Sequence, residues 1–249
     1  MGVLNNLSEK RLLWPTVMTL VALPMLTWLG MWQLDRLAWK EGLIAAIATR
    51  SKADPVDLLT AYREFQAEGF AAGALEYKRV KARGRFHHDK ERYFYAPDPE
   101  RGPGYHVYTP FELAGNSSIV FVNRGFVPEA FRDPGTRRSG QTESEVEVTG
   151  LLRAPGQQGR FTPDNDRKAN LWYWRDFSGM FVSAFENTER PYIPVFLDAE
   201  GEAPGGWPKG GVTRLELPNR HLEYALTWFG LAAALGAVYL AYAVPRFRQ

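Results

Sequence analysis

The two ends of the chain are apolar over stretches long enough to restrict the folds open to it. Residues 12–34, LLWPTVMTLVALPMLTWLGMWQL, contain no charged side chain, and neither do residues 224–244, YALTWFGLAAALGAVYLAYAV. At ~1.5 Å per residue the first run forms a helix of roughly 35 Å, which exceeds a hydrocarbon core of ~30 Å. We therefore predict transmembrane helices at 12–34 and 221–244, with one domain between them.

The charges beside these runs predict how the chain crosses the membrane. Basic residues flank the outer ends of both runs, namely Lys10, Arg11, Arg246 and Arg248. Because cationic flanks favour the cytoplasmic side, the tails 1–11 and 245–249 are predicted to be cytoplasmic. The segment 35–220 is then periplasmic, in a multi-pass protein of the cell inner (plasma) membrane. A cleaved signal peptide is the alternative for the first run, but no small-x-small cleavage site follows it.

Between the runs the pattern predicts a β-rich domain with a few helices. Helical spacing continues past residue 40 as a stalk, and a second helix follows, with Asp54 as its cap and Gly69 as its stop. Beyond residue 78, apolar and polar residues alternate as strands require. The predicted strands are RVKARGRFH, RYFYAP, YHVYTPFEL, SIVFVNRGFVP, EVEVTGLLR, LWYWRDF and YIPVFLDAE, with a helix, FSGMFVSAFE, before the last.

The predicted fold class is a membrane α+β protein, in which two transmembrane helices flank one antiparallel β-rich extracytoplasmic domain. SIVFVNRGFVP is apolar on both faces, which indicates a central strand covered on both sides.

The motifs inside this domain do not predict an enzyme. The chain has no cysteine, which excludes thiolate catalysis and zinc–thiolate sites. His87 and His88 are adjacent on a strand and point to opposite faces, so we expect a surface role at the strand end rather than a shared metal. Lys81, Arg83 and Arg85 form a basic strand face, either solvated or turned toward acidic lipids or an acidic partner. No basic arm interleaved with aromatics is present, so nucleic acid is not expected as a partner.

Polar and aromatic residues mark the exit of the first predicted membrane helix. In WLGMWQLDRLAWK, Trp32, Asp35, Arg36 and Trp39 recur at helical spacing, and Gln33 can join Trp32. One interpretation is an interfacial aromatic belt with a snorkelling arginine. The other is a ligand site, because the Arg36 guanidinium can pair bidentately with a propionate.

A similar cluster marks the start of the second helix. In PNRHLEYALTW, His221, Tyr224 and Trp228 fall on one helix face, which we expect to turn toward Trp32 and Arg36. An imidazole beside apolar aromatics at the membrane surface suits axial ligation of haem iron, whereas the alternative is a headgroup-level anchor. A single histidine supplies one axial bond, which suits a carrier that releases its cargo.

Small residues on the second helix predict where a neighbouring helix packs, and Pro24 predicts a kink in the first helix. The predicted contact positions are Ala233, Ala237 and Ala241, together with the pair Gly230 and Ala234.

Six segments, in this order, carry a family resemblance. They are LGMWQLDRLAWK (29–40), GYHVYTPFEL (104–113), VNRGFVP (122–128), VTGLLR (148–153), WYWRD (172–176) and PNRHLEYALTWFGLA (218–232). Each motif is weak alone. Together, between two terminal membrane helices, they resemble the Surfeit-locus family of cytochrome c oxidase assembly factors.

The resemblance implies a role in maturing subunit I of a haem-copper oxidase. Bacterial members look like haem a binders, and the histidine before their second helix, here His221, is implied as the axial ligand of the haem iron. The VNRGFVP match implies a structural turn at Gly125 and an arginine, Arg124, directed toward a partner. The WQLDR match carries Trp32, Gln33 and Arg36 over as functional positions without assigned roles. With His221 and the helix-face residues Tyr224 and Trp228, they form the predicted cofactor-binding set.

Three functions remain open at this point. The first is an assembly factor that binds haem a and aids its insertion into subunit I, with subunit I, haem a synthase and membrane lipids as partners. The second is a scaffold that stabilises a subunit I assembly intermediate without binding haem. The third is a membrane-anchored enzyme, which would need a converging acid–base pair in the β domain. We expect no enzyme, because the sequence contains no such pair.

Overall fold

The structure, a computed structural model, describes residues 2–69, 73–186, 189–213, 215 and 217–247, with side chains only between 12 and 246. Arg248 lies outside the described residues, and so do the side chains of Lys10 and Arg11. The helices and strands are α1 (Gly2–Lys52), β1 (Val56–Asp57), α2 (Leu58–Ala67), β2 (Arg79–Phe86), β3 (Arg92–Tyr95), β4 (Gly104–Leu113), β5 (Ile119–Pro128), β6 (Val146–Arg153), β7 (Leu171–Trp172), α3 (Phe177–Phe185), β8 (Tyr192–Ala199) and α4 (His221–Phe247). Short 3₁₀ helices lie at His88–Lys90, Glu129–Phe131 and Pro134–Gly140.

The chain divides into a helical unit, residues 1–46 with 216–249, and a second compact unit, 47–215. Two helical segments, Leu12–Lys52 and His221–Arg246, are long and apolar enough to cross a membrane. Helix α1 continues through Pro24 and on to Lys52, so the predicted stalk is confirmed and the proline does not interrupt the helix.

Helices α1 and α4 pack against each other in the helical unit. The hydroxyls of Thr16 and Tyr239 lie 2.8 Å apart. Further along, a Cβ built on Gly30 would lie 2.5 Å from the ring of Phe229, so the glycine gives that ring its space. Because higher numbers on α1 face lower numbers on α4, the two helices run antiparallel. Close approach at a small residue is how helices pair where lipid surrounds them.

The predicted small-residue face of α4 is wrong. Its buried alanines are Ala225, Ala232 and Ala243. The predicted positions Gly230, Ala233, Ala234, Ala237 and Ala241 are all exposed. A uniformly apolar helix offers several small-residue stripes, and the sequence alone does not choose among them. In the structure, the packing of the Phe229 ring against Gly30 on α1 determines which stripe is buried.

The second unit is built on a closed barrel of five strands. Strand β2 pairs with β4 and β6, β6 with β8, β8 with β5, and β5 with β4. This strand order is that of the OB-type Greek-key barrel. The expected strands are present, but the expectation of a wholly antiparallel sheet is wrong, because β5 and β8 run parallel. Side-chain alternation indicates which face a residue occupies and carries no information on strand direction.

Strand β5 is buried on both faces, as its sequence predicts. Val120 and Val122 point into the barrel, where residues from all five strands form the core. Ile119 and Phe121 point outward into a second cluster, together with Trp172 and the aromatic side chains of α3. OB-type barrels bind oligonucleotides on the corresponding outer face. Here that face is covered by the protein's own chain.

Helix α2 begins three residues later than predicted. Asp57, rather than Asp54, is the N-cap, and its carboxylate accepts a hydrogen bond of 2.9 Å from the backbone N–H of Thr60. Residues Val56–Asp57 pair with β2 instead, so they are extended. The predicted stop at Gly69 is confirmed by its positive φ of 70°. The helix buries Leu58 and Ala61 in the barrel core, and Leu59, Tyr62 and Phe65 pack against that core.

Gly125→Ala is expected to destabilise the domain by at least about 3 kcal/mol, because two costs coincide there. Gly125 has a φ of 111°, and an added Cβ would overlap the carbonyl of Lys209. That carbonyl also accepts a hydrogen bond of 2.9 Å from Phe126 N. Thermal unfolding of the purified full chain measures the loss.

Gly115→Ala is the matched control for this prediction. Gly115 has a similar φ of 93°, but an added Cβ would meet nothing within 4 Å. We expect this variant to lose only about 1 kcal/mol of conformational strain. Equal losses in the two variants would contradict the role given to the Lys209 contact.

Candidate functional site

The helical unit brings two of the six predicted site residues into direct contact. His221 is the first residue of α4, and its Nδ1 lies 2.7 Å from Oε1 of Gln33 on α1. Gln33 is buried, with 9% of its surface exposed, and His221 is half-buried. No hydrogen bond joins Nε2 of His221 to any residue in the described part of the chain. One ring nitrogen is therefore held by the protein and the other is available to a ligand.

Trp32 and Arg36 lie on the same exposed face of α1, as predicted. The guanidinium of Arg36 sits 4.9 Å from the ring centre of Trp39 and 6.0 Å from that of Trp32. Trp32 keeps 43% of its surface exposed and Trp39 57%. The face combines a cation with flat apolar surfaces, which suits both a headgroup-level belt and a flat anionic ligand.

Tyr224 and Trp228 follow His221 along α4 but do not join the α1 cluster directly. Tyr224 is 54% exposed and Trp228 is half-buried. Among the described residues, no hydrogen bond or ring contact connects either of them to Trp32 or Arg36. Ala225, one position further on, is the residue that is buried. His221 is the member of the predicted face that makes a hydrogen bond to α1.

The β domain contains a buried ionic cluster that the sequence did not predict. Glu91 is almost fully buried and pairs with two arginines, Arg137 and Arg124. Arg124 donates a second hydrogen bond to the carbonyl of Gly140, and its guanidinium lies 4.9 Å from the ring centre of Phe86. The cluster thereby joins β5 to the 3₁₀ segments on either side of it.

The protonation of the cluster is set by competition between burial and charge. Burial raises the pKa of Glu91, but the adjacent His88 and Arg137, together with the charge of Arg124, lower that pKa from 4.5 to about 2. Burial lowers the pKa of Arg124 to about 10, although Glu91 acts in the opposite direction. Glu91 is therefore ionised at neutral pH and paired with both arginines. We infer that the cluster stabilises the fold.

Two sequence interpretations are corrected here. His88 is not a surface residue at a strand end, because its ring nitrogens lie 3.2 Å from Arg124 Nη1 and 3.0 Å from the carbonyl of Thr142. Arg124 does not face a partner, because its side chain is 94% buried inside the cluster (6% exposed). The sequence signal that was available is the run VNRGFVP, in which a charged residue interrupts a strand buried on both faces.

One member of the basic strand face of β2, Arg83, and two neighbouring cations form ion pairs within the domain. Lys78 pairs with Glu64 at 2.7 Å, and Arg83 pairs with Glu145 at 2.5 Å. Arg79, beside them, pairs with Glu200 at 2.8 Å. These exposed pairs contribute little stability. They favour the solvated interpretation for Arg83, but they do not involve Lys81 or Arg85.

Comparisons with known proteins agree on one family. A sequence model described as the SURF1 family matches residues 20–233, which include all six predicted site residues. Surfeit locus protein 1 of Mus musculus is 38% identical over 222 residues, covering 83% of this chain and 68% of the mouse protein. Surfeit locus protein 1 of Takifugu rubripes is 36% identical over 238 residues, covering 88% of this chain and 93% of its own length. The matches confirm the resemblance found in the six segments.

Glu91→Gln is expected to lower the free energy of unfolding by about 3 kcal/mol at pH 7, because two buried arginines lose their counter-charge. The pKa of Glu91 is depressed in the folded protein, so its stabilising effect is complete above pH 4.5 and is lost as the pH falls toward 2. Unfolding curves at several pH values should show the difference between wild type and variant shrinking across that window.

Glu64→Gln is the control for the Glu91 variant. Glu64 also pairs with a cation, Lys78, but 55% of the Glu64 side chain is exposed. We expect a change within about 0.5 kcal/mol at every pH, as for other exposed pairs. A Glu91 variant as stable as this control would show that the buried cluster does not stabilise the fold.

Proposed function

Because the chain belongs to the SURF1 family, we propose that it is an assembly factor for a haem-copper cytochrome c oxidase. It binds haem a as a transient cargo and aids the insertion of that haem into subunit I, with haem a synthase as the proposed donor. The single observation that carries the haem proposal is the half-buried imidazole of His221, held through Nδ1 at the end of an apolar helix pair.

The proposal places α1 and α4 in the inner membrane, with both termini cytoplasmic and the barrel in the periplasm. Thr16 and Gln33, which each make a polar contact with α4, are separated by roughly 25 Å of helix, close to the ~30 Å hydrocarbon thickness. The Thr16–Tyr239 bond then lies toward the cytoplasmic side, and Gln33–His221 toward the periplasmic side. This placement agrees with cationic flanks at the outer ends of the helices.

The residues at the periplasmic side fit a haem that is held by one protein ligand. His221 would hold the iron of haem a through Nε2. Arg36 supplies a guanidinium for a propionate. Trp32, Tyr224 and Trp228 supply exposed apolar ring surface beside it. These residues bind and orient the cargo, and none of them needs to transfer a proton.

The barrel favours a structural rather than an enzymatic role for the β domain. Its buried carboxylates, in the described residues, are Glu91 and Asp198. Asp198 accepts hydrogen bonds from Asn123 at 3.0 Å and from Thr213 at 2.7 Å. Both carboxylates are occupied by internal partners, and neither is placed as a free acid or base. We propose that the domain catalyses no reaction and serves the contact with subunit I.

His221→Ala is expected to abolish haem a binding, since it removes the proposed axial ligand. The full chain is purified from cells that make haem a, and its visible spectrum is recorded. The wild type should show haem a absorption, and the variant should lose at least about 90% of it. A colourless wild type from haem a-replete cells would contradict the carrier function and favour the scaffold.

His87→Ala is the control, because it also removes one imidazole but from the barrel, where it pairs with Glu112 at 3.0 Å. This variant should keep the haem a spectrum. Co-purification of subunit I provides the second measurement: a scaffold that does not need haem would retain subunit I in His221→Ala as fully as in the wild type.

The proposed topology is tested by cysteine labelling, which is clean because the chain contains no native cysteine. Phe161 is 94% exposed in the loop after β6, so Phe161→Cys should react with an impermeant maleimide added to intact spheroplasts. Ser8→Cys, in the predicted cytoplasmic tail, should react only after the membrane is opened. The reverse pattern would show that the barrel is cytoplasmic.

A further inference from the structure

The hydrogen bond between Gln33 and His221 determines which ring nitrogen faces a ligand. We propose that Gln33 is a positioning residue that holds His221 in the Nδ1–H tautomer, so that Nε2 presents its lone pair outward. The identity of the ligand as haem rests on the proposed function. The inference about the tautomer does not rest on that function, because it depends on Gln33 and His221, which both lie in the described helices.

The atoms in contact define the tautomer. A neutral imidazole carries one N–H, and its other nitrogen accepts. The atom of Gln33 that lies 2.7 Å from Nδ1 is the amide oxygen, which only accepts. Nδ1 therefore carries the proton and donates a hydrogen bond to the amide oxygen of Gln33, and Nε2 keeps a lone pair. With the amide reversed, its NH₂ would donate to Nδ1, Nε2 would carry the proton, and the ring would have no free lone pair for a metal.

The burial of Gln33 makes this bond hard to replace. Its surface is 9% exposed, and on the remaining faces it is surrounded by the packed helix pair. A buried amide without a hydrogen-bond partner is costly, and water is scarce at this depth. Gln33 and His221 thus hold each other, and the imidazole enters any ligand contact already oriented.

An oriented, hydrogen-bonded histidine is a stronger metal ligand. The group that accepts the second N–H of a ligating imidazole fixes the ring orientation and raises the basicity of the coordinating nitrogen. Loss of such a partner typically weakens metal affinity by about 10- to 100-fold. The expected role of Gln33 is therefore to strengthen and aim the His221 ligand, without touching the iron itself.

The tautomer is measured on the haem-free protein. The chain has 4 histidines, so a full-length sample labelled with ¹⁵N-histidine in detergent gives few signals, and His221→Ala assigns the relevant pair. We expect a protonated Nδ1 and an unprotonated Nε2 in the wild type. A proton on Nε2 would overturn the proposal, whatever the protein does with haem.

Two substitutions of Gln33 separate positioning from packing. Gln33→Leu removes the acceptor, so we expect loss of the fixed Nδ1–H tautomer and a 10- to 100-fold weaker haem a affinity. Gln33→Glu keeps an acceptor oxygen and should retain the tautomer and most of the affinity. A Gln33→Leu protein that binds haem a as tightly as the wild type would overturn the positioning role.

Thr16→Val is the matched control, because Thr16 also makes a polar contact between α1 and α4, at 2.8 Å from Tyr239. It should change neither the His221 tautomer nor the affinity. An equal loss of affinity in Thr16→Val and Gln33→Leu would mean that helix packing, not the imidazole, accounts for the effect. Absence of haem from every variant and the wild type, with the Nδ1–H tautomer intact, would remove the proposed function and leave the positioning inference standing.

Discussion

Gly30 is the residue on which the arrangement of the helical unit depends. Where lipid surrounds two apolar helices, no hydrophobic force draws them together, so their pairing there relies on close packing and polar contacts. The ring of Phe229 occupies the space that a side chain on Gly30 would need. Once the ring is seated there, the antiparallel register is fixed, and the first residue of α4, His221, lies within hydrogen-bonding distance of Gln33. A backbone position without a side chain thereby determines where the imidazole sits.

In the barrel, backbone groups and buried charges are paired within the domain itself. Closure through β2 and β4 leaves few free strand edges, and its outer face is covered by α3 and Trp172. The buried charges of Glu91 and its arginines are paired inside the domain, where unpaired charge would be costly. These buried charges are therefore paired with one another and stabilise the fold. In the helical unit, by contrast, Nε2 of His221 has no hydrogen-bond partner among the described residues.

The sequence predicted the positions of the strands and of the stalk, but it did not predict which elements pair with each other. Periodicity located every long strand and the stalk, because burial of one face imposes a repeat on the residues themselves. It did not predict the parallel β5–β8 pair, the choice of Asp57 over Asp54 as a cap, or the buried face of α4, because each depends on a partner distant in sequence. The buried position of Glu91 was not predicted for the same reason. A single glutamate after HHDK is typical of a solvated residue, and its partners Arg124 and Arg137 are distant in sequence. At the site, the sequence identified His221 and Gln33 separately, and only the structure joined them.

The geometry around His221 agrees with a carrier better than with a permanent haem site. A resident haem is normally enclosed, so that the whole apolar face of the ring contributes to affinity. Here the flanking aromatics Trp32 and Tyr224 keep 43% and 54% of their surface exposed. In the proposed function, a haem held here would therefore rely heavily on the imidazole of His221 and the guanidinium of Arg36, and Gln33 would strengthen the ligand from the protein side. In the same proposal, the exposed side of the site would leave room for a receiving protein, and transfer would be favoured by a receiving site that encloses the haem more fully.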